Sequence, residues 1–448
     1  MSYISLSHED KKKMLAVIGI SSLDELFCCI PEEIRLKRDL NLPSPLVEPE
    51  LIHHFEEIGK RNSDSSYLSF LGAGAYRHFI PYVVDYLSSR GEFISPYTPY
   101  QPEVSQGTLQ VIFEYQTLIC QLTEMEIANA SLYEGASAAA EAVLMAHRLR
   151  GNPKILVANT LHPQYKSVIQ TYVKNLPIEI KEVNYNERGE LDLDDFARKI
   201  DAETSAVVCQ SPNFMGIVEN LDRIAELARK HQALFIVVVA EAASLGILKA
   251  PGACGADIVA GEGQSFGLPL SFGGPYLGFM ACKKDFIRQF PGRIAGETKD
   301  AEGRKGFVLT LSTREQHIRR EKATSNICSN QAWCGLRATI FLETLGRKGM
   351  RELAYQNIQK ANYALEKLSE INGVKRRFSG PVFNEFVLEF AGGWPKVEGF
   401  LRQNGVLGGL SLEPFFPELK NCALFCVTEM HKKDNIDRLV RLVGEVLR

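Results

Sequence analysis

Residues 256–282, which read ADIVAGEGQSFGLPLSFGGPYLGFMAC, decide how this 448-residue sequence is interpreted. They predict a short buried strand over 257–260, a polar turn, a glycine-rich loop and a second strand over 276–282. An open α/β sheet places its ligand where a strand ends in a small, flexible, polar turn. Gln264 and Ser265 lie in that turn, so we expect a functional site to include them.

The same strand signal recurs upstream of this stretch, with helical patterns between several of the runs. The strand-like runs are KILVAN (154–159), IEIKEV (178–183), SAVVCQ (205–210), LFIVVVA (234–240), ADIVA (256–260) and YLGFMA (276–281). Apolar, β-branched strands that alternate with helices predict a mostly parallel sheet covered on both faces. The sequence therefore predicts a large α/β domain over residues 61–330.

Two smaller parts flank the predicted large domain. Residues 1–60 predict an N-terminal helical arm, in which Ser7 can cap a helix and three closely spaced prolines follow. Such an arm can wrap a partner subunit or pack on its own chain, and the sequence leaves both open. Residues 331–448 predict a small C-terminal α+β domain, with a long helical stretch, strands over 386–390 and 422–427, and a final helix.

Composition limits the class of protein. Hydrophobic residues make up 45% and charged residues 23% of the chain, as in ordinary globular proteins, and the net charge of −3 offers no field for nucleic acid or anionic membrane. The ten cysteines lack metal-site spacing and are typical of reduced thiols. The sequence shows neither a membrane-length apolar run nor a signal-peptide core at its start. We expect a cytoplasmic protein without a metal.

A proline- and tyrosine-rich loop, EFISPYTPYQPEVSQG, covers residues 92–107. Three prolines fix its backbone at intervals, and Tyr97, Tyr100 and Gln101 lie between them. Loops that carry aromatic side chains on a stiffened backbone are more often binding or interface elements than spacers. We expect this loop to contact a ligand or a partner, although a purely structural loop is the alternative.

Three further places could serve a ligand. Gly135, Ala136 and Ser137 open a helix and offer backbone N–H groups to an anion such as phosphate, although small residues also open helices for packing reasons. His162 follows a strand and could stack on a flat ring or be structural. Glu241 ends the most apolar strand, where a carboxylate is costly unless it serves a cation or a ring N–H.

In chain order, these places match the pyridoxal-phosphate (PLP) site of fold-type-I enzymes. Such a site has a glycine-rich phosphate loop, a ring-stacking side chain, an acidic partner for the pyridine nitrogen and a Schiff-base lysine. Gln264 stands where the lysine is required, and its amide cannot form an imine. Lys249 and Lys283 flank the loop, but neither lies at the turn. The sequence therefore predicts a PLP-type site without its lysine.

Four long motifs give the chain a family resemblance that covers essentially its whole length. They are LDELFCCIPEEIRL (23–36), YTPYQPEVSQG (97–107), IANASLYEGASAAAEA (127–142) and EKATSNICSNQA (321–332). All four resemble the glycine cleavage system P-protein family, glycine dehydrogenase (decarboxylating). That family also occurs as two half-length chains, and this chain resembles the N-terminal, alpha half, which lacks the lysine. One departure is AEAASLG at 240–246, where the family usually has aspartate in place of Glu241.

The resemblance implies an α/β fold of PLP-dependent transferase type I and an activity shared with a partner. The complex would decarboxylate glycine with PLP on a lysine-bearing subunit 2, in an α2β2 assembly. It would pass the aminomethyl group to the lipoyl arm of H-protein and release CO2. This chain would hold no catalytic residue and no cofactor. A stand-alone PLP aminotransferase or decarboxylase and a non-catalytic binding or regulatory protein are the alternatives.

The resemblance also assigns roles to residues of this chain. The remnant of the cofactor pocket would consist of Gly135, Ala136, Ser137, His162, Glu241, Gln264 and Ser265. The candidates for reaching the partner's site are Tyr97, Tyr100, Gln101, Ser325 and Asn326.

Overall fold

The computed structural model describes residues 6–62 and 67–448, which divide into two compact units, Met1–Ser65 and Ser66–Arg448. Within the described ranges, no helix has both the length and the hydropathy needed to cross a membrane. In the same ranges, no three or more His, Cys, Asp or Glu side chains are grouped to hold a metal ion.

The described residues of the first unit contain two α-helices, and the N-terminal arm over residues 1–60 stays a prediction. Helix α1 (His8–Ile18) begins with a reciprocal cap, because the Asp10 N–H donates to Ser7 Oγ (3.1 Å) and the Ser7 N–H donates to Asp10 Oδ2 (3.0 Å). Helix α2 (Glu48–Gly59) carries Pro49, one of the three closely spaced prolines, in its first turn, where a missing N–H is tolerated. None of the residues 6–62 is buried, so this unit exposes many apolar side chains.

The second unit contains the four sheets and the remaining α-helices of the described residues. Its strands are β1 (Leu68–Ser69), β2 (Ile127–Ala128), β3 (Lys154–Ala158), β4 (Glu179–Val183), β5 (Thr204–Gln210), β6 (Leu234–Val239), β7 (Ile258–Glu262), β8 (Gly278–Cys282), β9 (Ile294–Lys299), β10 (Lys305–Thr310), β11 (Val374–Arg376), β12 (Glu385–Phe390), β13 (Val406–Leu407), β14 (Leu410–Ser411) and β15 (Cys422–Cys426). Its helices are α3 (Tyr82–Ser88), α4 (Gly91–Ile94), α5 (Gln106–Thr123), α6 (Gly135–Arg150), α7 (Pro163–Val173), α8 (Leu193–Lys199), α9 (Leu221–Lys230), α10 (Gln316–Arg319), α11 (Ala332–Ser369), α12 (Trp394–Gln403) and α13 (Lys433–Leu447). Two of the four sheets have only two strands each, β1-β13 and β10-β9.

The large sheet has seven strands in the order β2-β8-β7-β6-β5-β3-β4. Strands β4, β3, β5, β6 and β7 are parallel, and β8 is antiparallel to both of its neighbours. Helices α6 and α7 pack on one face, and α5, α9 and the first half of α11 pack on the other. The predicted α/β class with a mostly parallel, two-sided sheet is confirmed. The carboxyl ends of β3, β5, β6 and β7 consequently share one edge.

The second sheet is smaller and antiparallel, with the order β11-β12-β15-β14. The second half of α11 packs on it together with α12 and α13. Helix α11 is interrupted at Gly346, whose φ of 59° lies outside the helical region. Both sheets belong to the same compact unit, so the domain limit at residue 330 stays a prediction.

Candidate functional site

The predicted pocket residues lie at the carboxyl edge of the large sheet or at the start of α6. His162 follows β3, Glu241 follows β6, Gln264 follows β7, and Gly135 is the first residue of α6. Each of these four side chains or backbones is buried. A single segment, residues 70–78, contacts His162, Glu241 and Gln264, and the site is built around it.

Gln264 uses its side-chain amide to bind the backbone of this segment. Its Oε1 accepts a hydrogen bond from the Tyr76 N–H (2.9 Å), and its Nε2 donates to the Tyr76 carbonyl (2.9 Å) and to the Leu268 carbonyl (2.7 Å). The side chain is 1% exposed. A buried amide with one acceptor and two donors satisfied is a stable arrangement, and a lysine could not offer the acceptor. Ser265 is buried beside it.

His162 is covered by the same segment. Its Nδ1 accepts from the Gln164 N–H (3.2 Å), so its Nε2 carries the proton and donates to the Ala73 carbonyl (2.9 Å). Gly74 has a φ of 97°, and a Cβ there would lie 2.8 Å from His162 Nε2. Burial lowers the pKa of His162, in agreement with a neutral ring. Backbone of residues 73–74 therefore lies against the Nε2 edge of the ring.

Glu241 binds a cation from the segment. Its Oε2 lies 3.1 Å from His78 Nε2 and accepts from Asn384 Nδ2 (3.0 Å), while its Oε1 accepts from the Ala243 N–H (2.9 Å). His78 Nδ1 lies 2.8 Å from Glu429 Oε2. Burial would lower the pKa of His78, but Glu241 and Glu429 together raise it to about 10. His78 is therefore an imidazolium held between two buried carboxylates.

Glu385, the first residue of β12, attaches the segment to the second sheet. Its Oε1 accepts from the Ala73 N–H (2.6 Å), and its Oε2 accepts from the Tyr76 hydroxyl (2.8 Å). Burial raises the pKa of Glu385 to about 7. A Cβ on Gly72 would lie 2.5 Å from Glu385 Oε1, so the close approach requires glycine.

Carboxylates occupy the start of α6, where the sequence suggested a phosphate. The Gly135 N–H donates to Glu262 Oε2 (2.9 Å), and the Ser137 N–H donates to Glu134 Oε1 (2.7 Å). A Cβ on Gly135 would lie 2.1 Å from the Tyr165 hydroxyl oxygen. Burial raises the pKa of Glu262 to about 7. Ala136 is buried between the two capped positions. A bound anion would meet the carboxylates of Glu134 and Glu262 here.

These observations show that the residues of this chain do not fit PLP. Gln264 cannot form an imine, residues 70–78 lie against His162 and Glu241, and Glu134 and Glu262 cap the helix that would hold the phosphate. The surface lysines do not replace the missing amine: Lys249 pairs with Asp222 and Lys283 with Asp257, both about half exposed.

Sequence reasoning missed the residues that fill the pocket. They are Ala73, Gly74, Tyr76, His78, Glu262, Glu385 and Glu429. The available signal was the glycine-rich stretch FLGAGAYRHFIP at 70–81, because glycines in a non-helical stretch allow close backbone approach.

The predicted partner contacts lie elsewhere, at the protein surface. Tyr97 is 87% exposed and Tyr100 57% exposed, and Gln101 and Asn326 are also exposed. Ser325 is partly buried, and its Oγ accepts from the N–H of Ile327 (3.0 Å). Tyr97 borders a surface hollow of about 450 Å³ with mainly apolar walls, among them Ile94, Pro96, Val111, Trp333 and Leu336.

We expect the stability of the chain to fall at alkaline pH because of His78. Its pKa in the fold is about 10 against 6.5 unperturbed, so its contribution is complete below pH 6.5 and is lost as pH rises through 10. Urea unfolding between pH 7 and 10 should show this loss, with a slope from this one proton of up to about 1.4 kcal/mol per pH unit. His78→Gln should lack this part of the slope, whereas the control His231→Gln, at an exposed helix end, should keep it. Equal slopes in both variants would contradict the assignment.

Comparisons with solved structures identify the fold class. A sphingosine-1-phosphate lyase of Burkholderia pseudomallei superposes with a TM-score of 0.67 at 14% identity, covering 93% of this chain and 94% of that one. A NifS-like protein superposes with a TM-score of 0.63 at 11% identity, covering 85% of this chain and 99% of that one. The chain therefore has the fold of the type I PLP-dependent transferases.

The family follows from more similar proteins. The profile described as "Glycine cleavage system P-protein" matches residues 1–443. Proteins of Desulfitobacterium hafniense (48% identical) and Desulforamulus reducens (50% identical) match over 447 residues, 100% of each chain, and both are named "Probable glycine dehydrogenase (decarboxylating) subunit 1". The crystal structure of a glycine decarboxylase (P-protein) of the glycine cleavage system, in inhibitor-bound form, superposes with a TM-score of 0.91 at 42% identity over 100% of both chains. This chain belongs to the glycine cleavage system P-protein family.

Proposed function

We propose that this chain is the non-PLP subunit of a two-subunit glycine decarboxylase in the glycine cleavage system. The observation that carries the proposal is the filled pocket: a member of this family whose own cofactor place is taken by residues 70–78 needs a partner to supply PLP. The names of the relatives, which specify a subunit 1, support the same view. We place the complex in the cytoplasm with α2β2 stoichiometry.

The complex would decarboxylate glycine, pass the aminomethyl group to the lipoyl arm of H-protein and release CO2. PLP on the partner subunit would supply the electron sink for the loss of the carboxylate. The oxidised lipoyl disulfide of H-protein would accept the aminomethyl group, so the cysteines of this chain need no redox role. This chain would contribute binding surface and would complete the partner's site.

The exposed loop at 92–107 is our candidate for that contribution. In fold-type-I dimers the active site lies at the subunit interface, and loops of one chain complete the pocket of the other. Tyr97 is almost fully exposed beside an apolar hollow, and exposed aromatic residues of this kind are enriched in protein interfaces. We propose that Tyr97, Tyr100, Gln101, Ser325 and Asn326 face the PLP-bearing subunit.

The decisive experiment is reconstitution from separately purified chains. We expect this chain alone to be colourless and to catalyse no exchange of isotopic CO2 into glycine. Mixed with the lysine-bearing subunit and lipoylated H-protein, it should form a stable complex whose exchange rate exceeds that of either chain alone by more than about 100-fold. PLP quantified per chain after borohydride fixation should reside on the partner alone.

Two results would contradict the proposal. One is separate elution of the two chains on size exclusion, at micromolar concentration and with lipoylated H-protein present, because it would show that they form no stable interface. PLP fixed on this chain would favour the stand-alone enzyme instead.

A further inference from the structure

A buried cation, Arg293, lies between the two surface segments that we assign to the partner's site. Arg293 immediately precedes β9 and is 4% exposed. Its Nη2 donates to the Tyr100 hydroxyl (3.0 Å), and its Nη1 donates to Asn330 Oδ1 (3.4 Å). Its Nε lies 3.6 Å from Oε2 of Glu315, a carboxylate that is itself largely buried. One guanidinium therefore contacts three separate parts of the chain.

The position of Tyr100 shows what this contact does. Tyr100 is 57% exposed, yet its hydroxyl is bound to a buried cation, and the Arg293 guanidinium carbon lies 5.4 Å from the ring centroid. A tyrosine that served only packing would have its ring buried. Here the polar end is fixed by Arg293, which sets the orientation of an exposed aromatic side chain.

Asn330 is fixed in the same way at the end of the second segment. Its Nδ2 donates to the Ala130 carbonyl (3.0 Å), while the Ala130 N–H donates to the Arg293 carbonyl (2.8 Å). The next residue, Gln331, donates its N–H to Ser131 Oγ (3.0 Å). Segment 325–330 is therefore held against the core from its C-terminal end, with exposed Asn326 projecting before it.

The planar geometry of arginine suits this role. Its nitrogens lie at fixed angles to one another, so contacts made from two of them fix the relative position of the two groups. A lysine ammonium in the same place would keep the charge opposite Glu315 but could not impose that spacing.

We propose that Arg293 is a positioning residue that holds loop 97–101 and segment 325–330 in one arrangement, so that both meet the partner's active site together. The proposal rests on the proposed function, because it assigns these segments to the partner's site. Arg293 itself touches no reacting group in this view and acts through Tyr100 and Asn330.

The test uses the complete complex, with kcat and KM for glycine measured by isotopic CO2 exchange. We expect Arg293→Lys to lower kcat about tenfold or more, since small misplacements of site residues have such effects, while complex affinity by sedimentation stays within about twofold. Tyr100→Phe, which removes only the hydroxyl acceptor, should lower kcat in the same direction. In the double variant the two losses should not add, because both break one contact.

Arg314→Lys is the matched control. Arg314 is also a buried arginine, but it donates to the backbone carbonyls of Phe290, Gly292 and Leu311 rather than to either segment. It should change kcat by less than about twofold. Tyr100→Phe keeps the test valid even where a substitution of Arg293 destabilises the fold.

The outcomes bear on two separate claims, the positioning role and the proposed function. Wild-type kcat and KM in both Arg293→Lys and Tyr100→Phe would overturn the positioning role. An equal loss in Arg314→Lys would overturn it as well, because the effect would then follow from disturbing any buried arginine. Failure of the wild-type chain to bind the partner would instead refute the proposed function.

Discussion

Replacement of His78 with alanine is expected to lower the free energy of unfolding of this chain by about 3–5 kcal/mol, the range for breaking a buried ion pair from one side. The change would leave Glu241 and Glu429 without the cation between them, and those side chains are 2% and 10% exposed. Urea unfolding at pH 7 measures the loss directly.

The best control for this prediction is His431→Ala. His431 is also buried, but its ring nitrogens contact backbone groups, the Thr428 N–H (3.1 Å) and the Ser69 carbonyl (2.7 Å). Its removal leaves no unpaired charge, so we expect a loss of about 1–3 kcal/mol. A cost for His78→Ala no greater than that for His431→Ala would show that the two carboxylates do not depend on the imidazolium.

A double variant separates charge from packing in the same site. Glu241→Gln in the His78→Ala background removes one of the two unpaired charges and should recover part of the lost stability. We expect the recovery because the neutral amide needs no cation and can still bond with Asn384. Recovery in this background but not in wild type would identify the ion pair as the cause.

The sequence predicted the large sheet well because its signal is local. Strands such as β5 and β6 are short runs rich in β-branched residues, and Glu241 and Gln264 each follow a strand end, so the two could be placed at one edge without a structure. The antiparallel direction of β8 follows from its connection: the loop between β7 and β8 contains no helix of the length that a crossover to a parallel neighbour requires.

The filling of the pocket could not be predicted, since its contacts are remote and partly made by backbone. Gln264 and Tyr76 are 188 positions apart, and the bonds between them involve the Tyr76 N–H and carbonyl, which every residue type except proline carries. Glu385 and Glu429 come from the C-terminal part of the chain, where no periodic pattern links them to His78. Only the folded chain brings them together.

Segment 70–78 gives the predicted pocket residues a structural role. Its contacts join β12 of the second sheet to the carboxyl edge of the first through Glu385, Asn384 and Glu241. The predicted pocket residues Glu241 and Gln264 are here part of the buried polar core. Buried polar networks of this kind are stable when fully bonded and costly when one member is removed. These residues therefore stabilise the chain through the bonds that they make to one another.

Gln264→Lys provides the sharpest test of that view. We expect the variant to bind no PLP and to lose about 2–4 kcal/mol of stability, because the Tyr76 N–H loses its acceptor and an amine enters a site that is 1% exposed. Absorbance during a PLP titration, borohydride fixation and urea unfolding are the measurements. Gln264→Met is the matched control, since it removes the same hydrogen bonds without adding an ionisable group.

The difference in unfolding free energy between Gln264→Lys and Gln264→Met tests whether the pocket is closed. If lysine costs more than methionine, the excess reports the burial of an amine beside the carbonyls of Tyr76 and Leu268, and the pocket is closed to solvent. If the lysine variant instead took up PLP stoichiometrically, residues 70–78 would have to leave the pocket. His78 would then lose its contacts with Glu241 and Glu429. Such a result would be consistent only with a small loss of unfolding free energy in His78→Ala. The two experiments therefore test one claim, because both measure the stability that the chain gains from the contacts of residues 70–78.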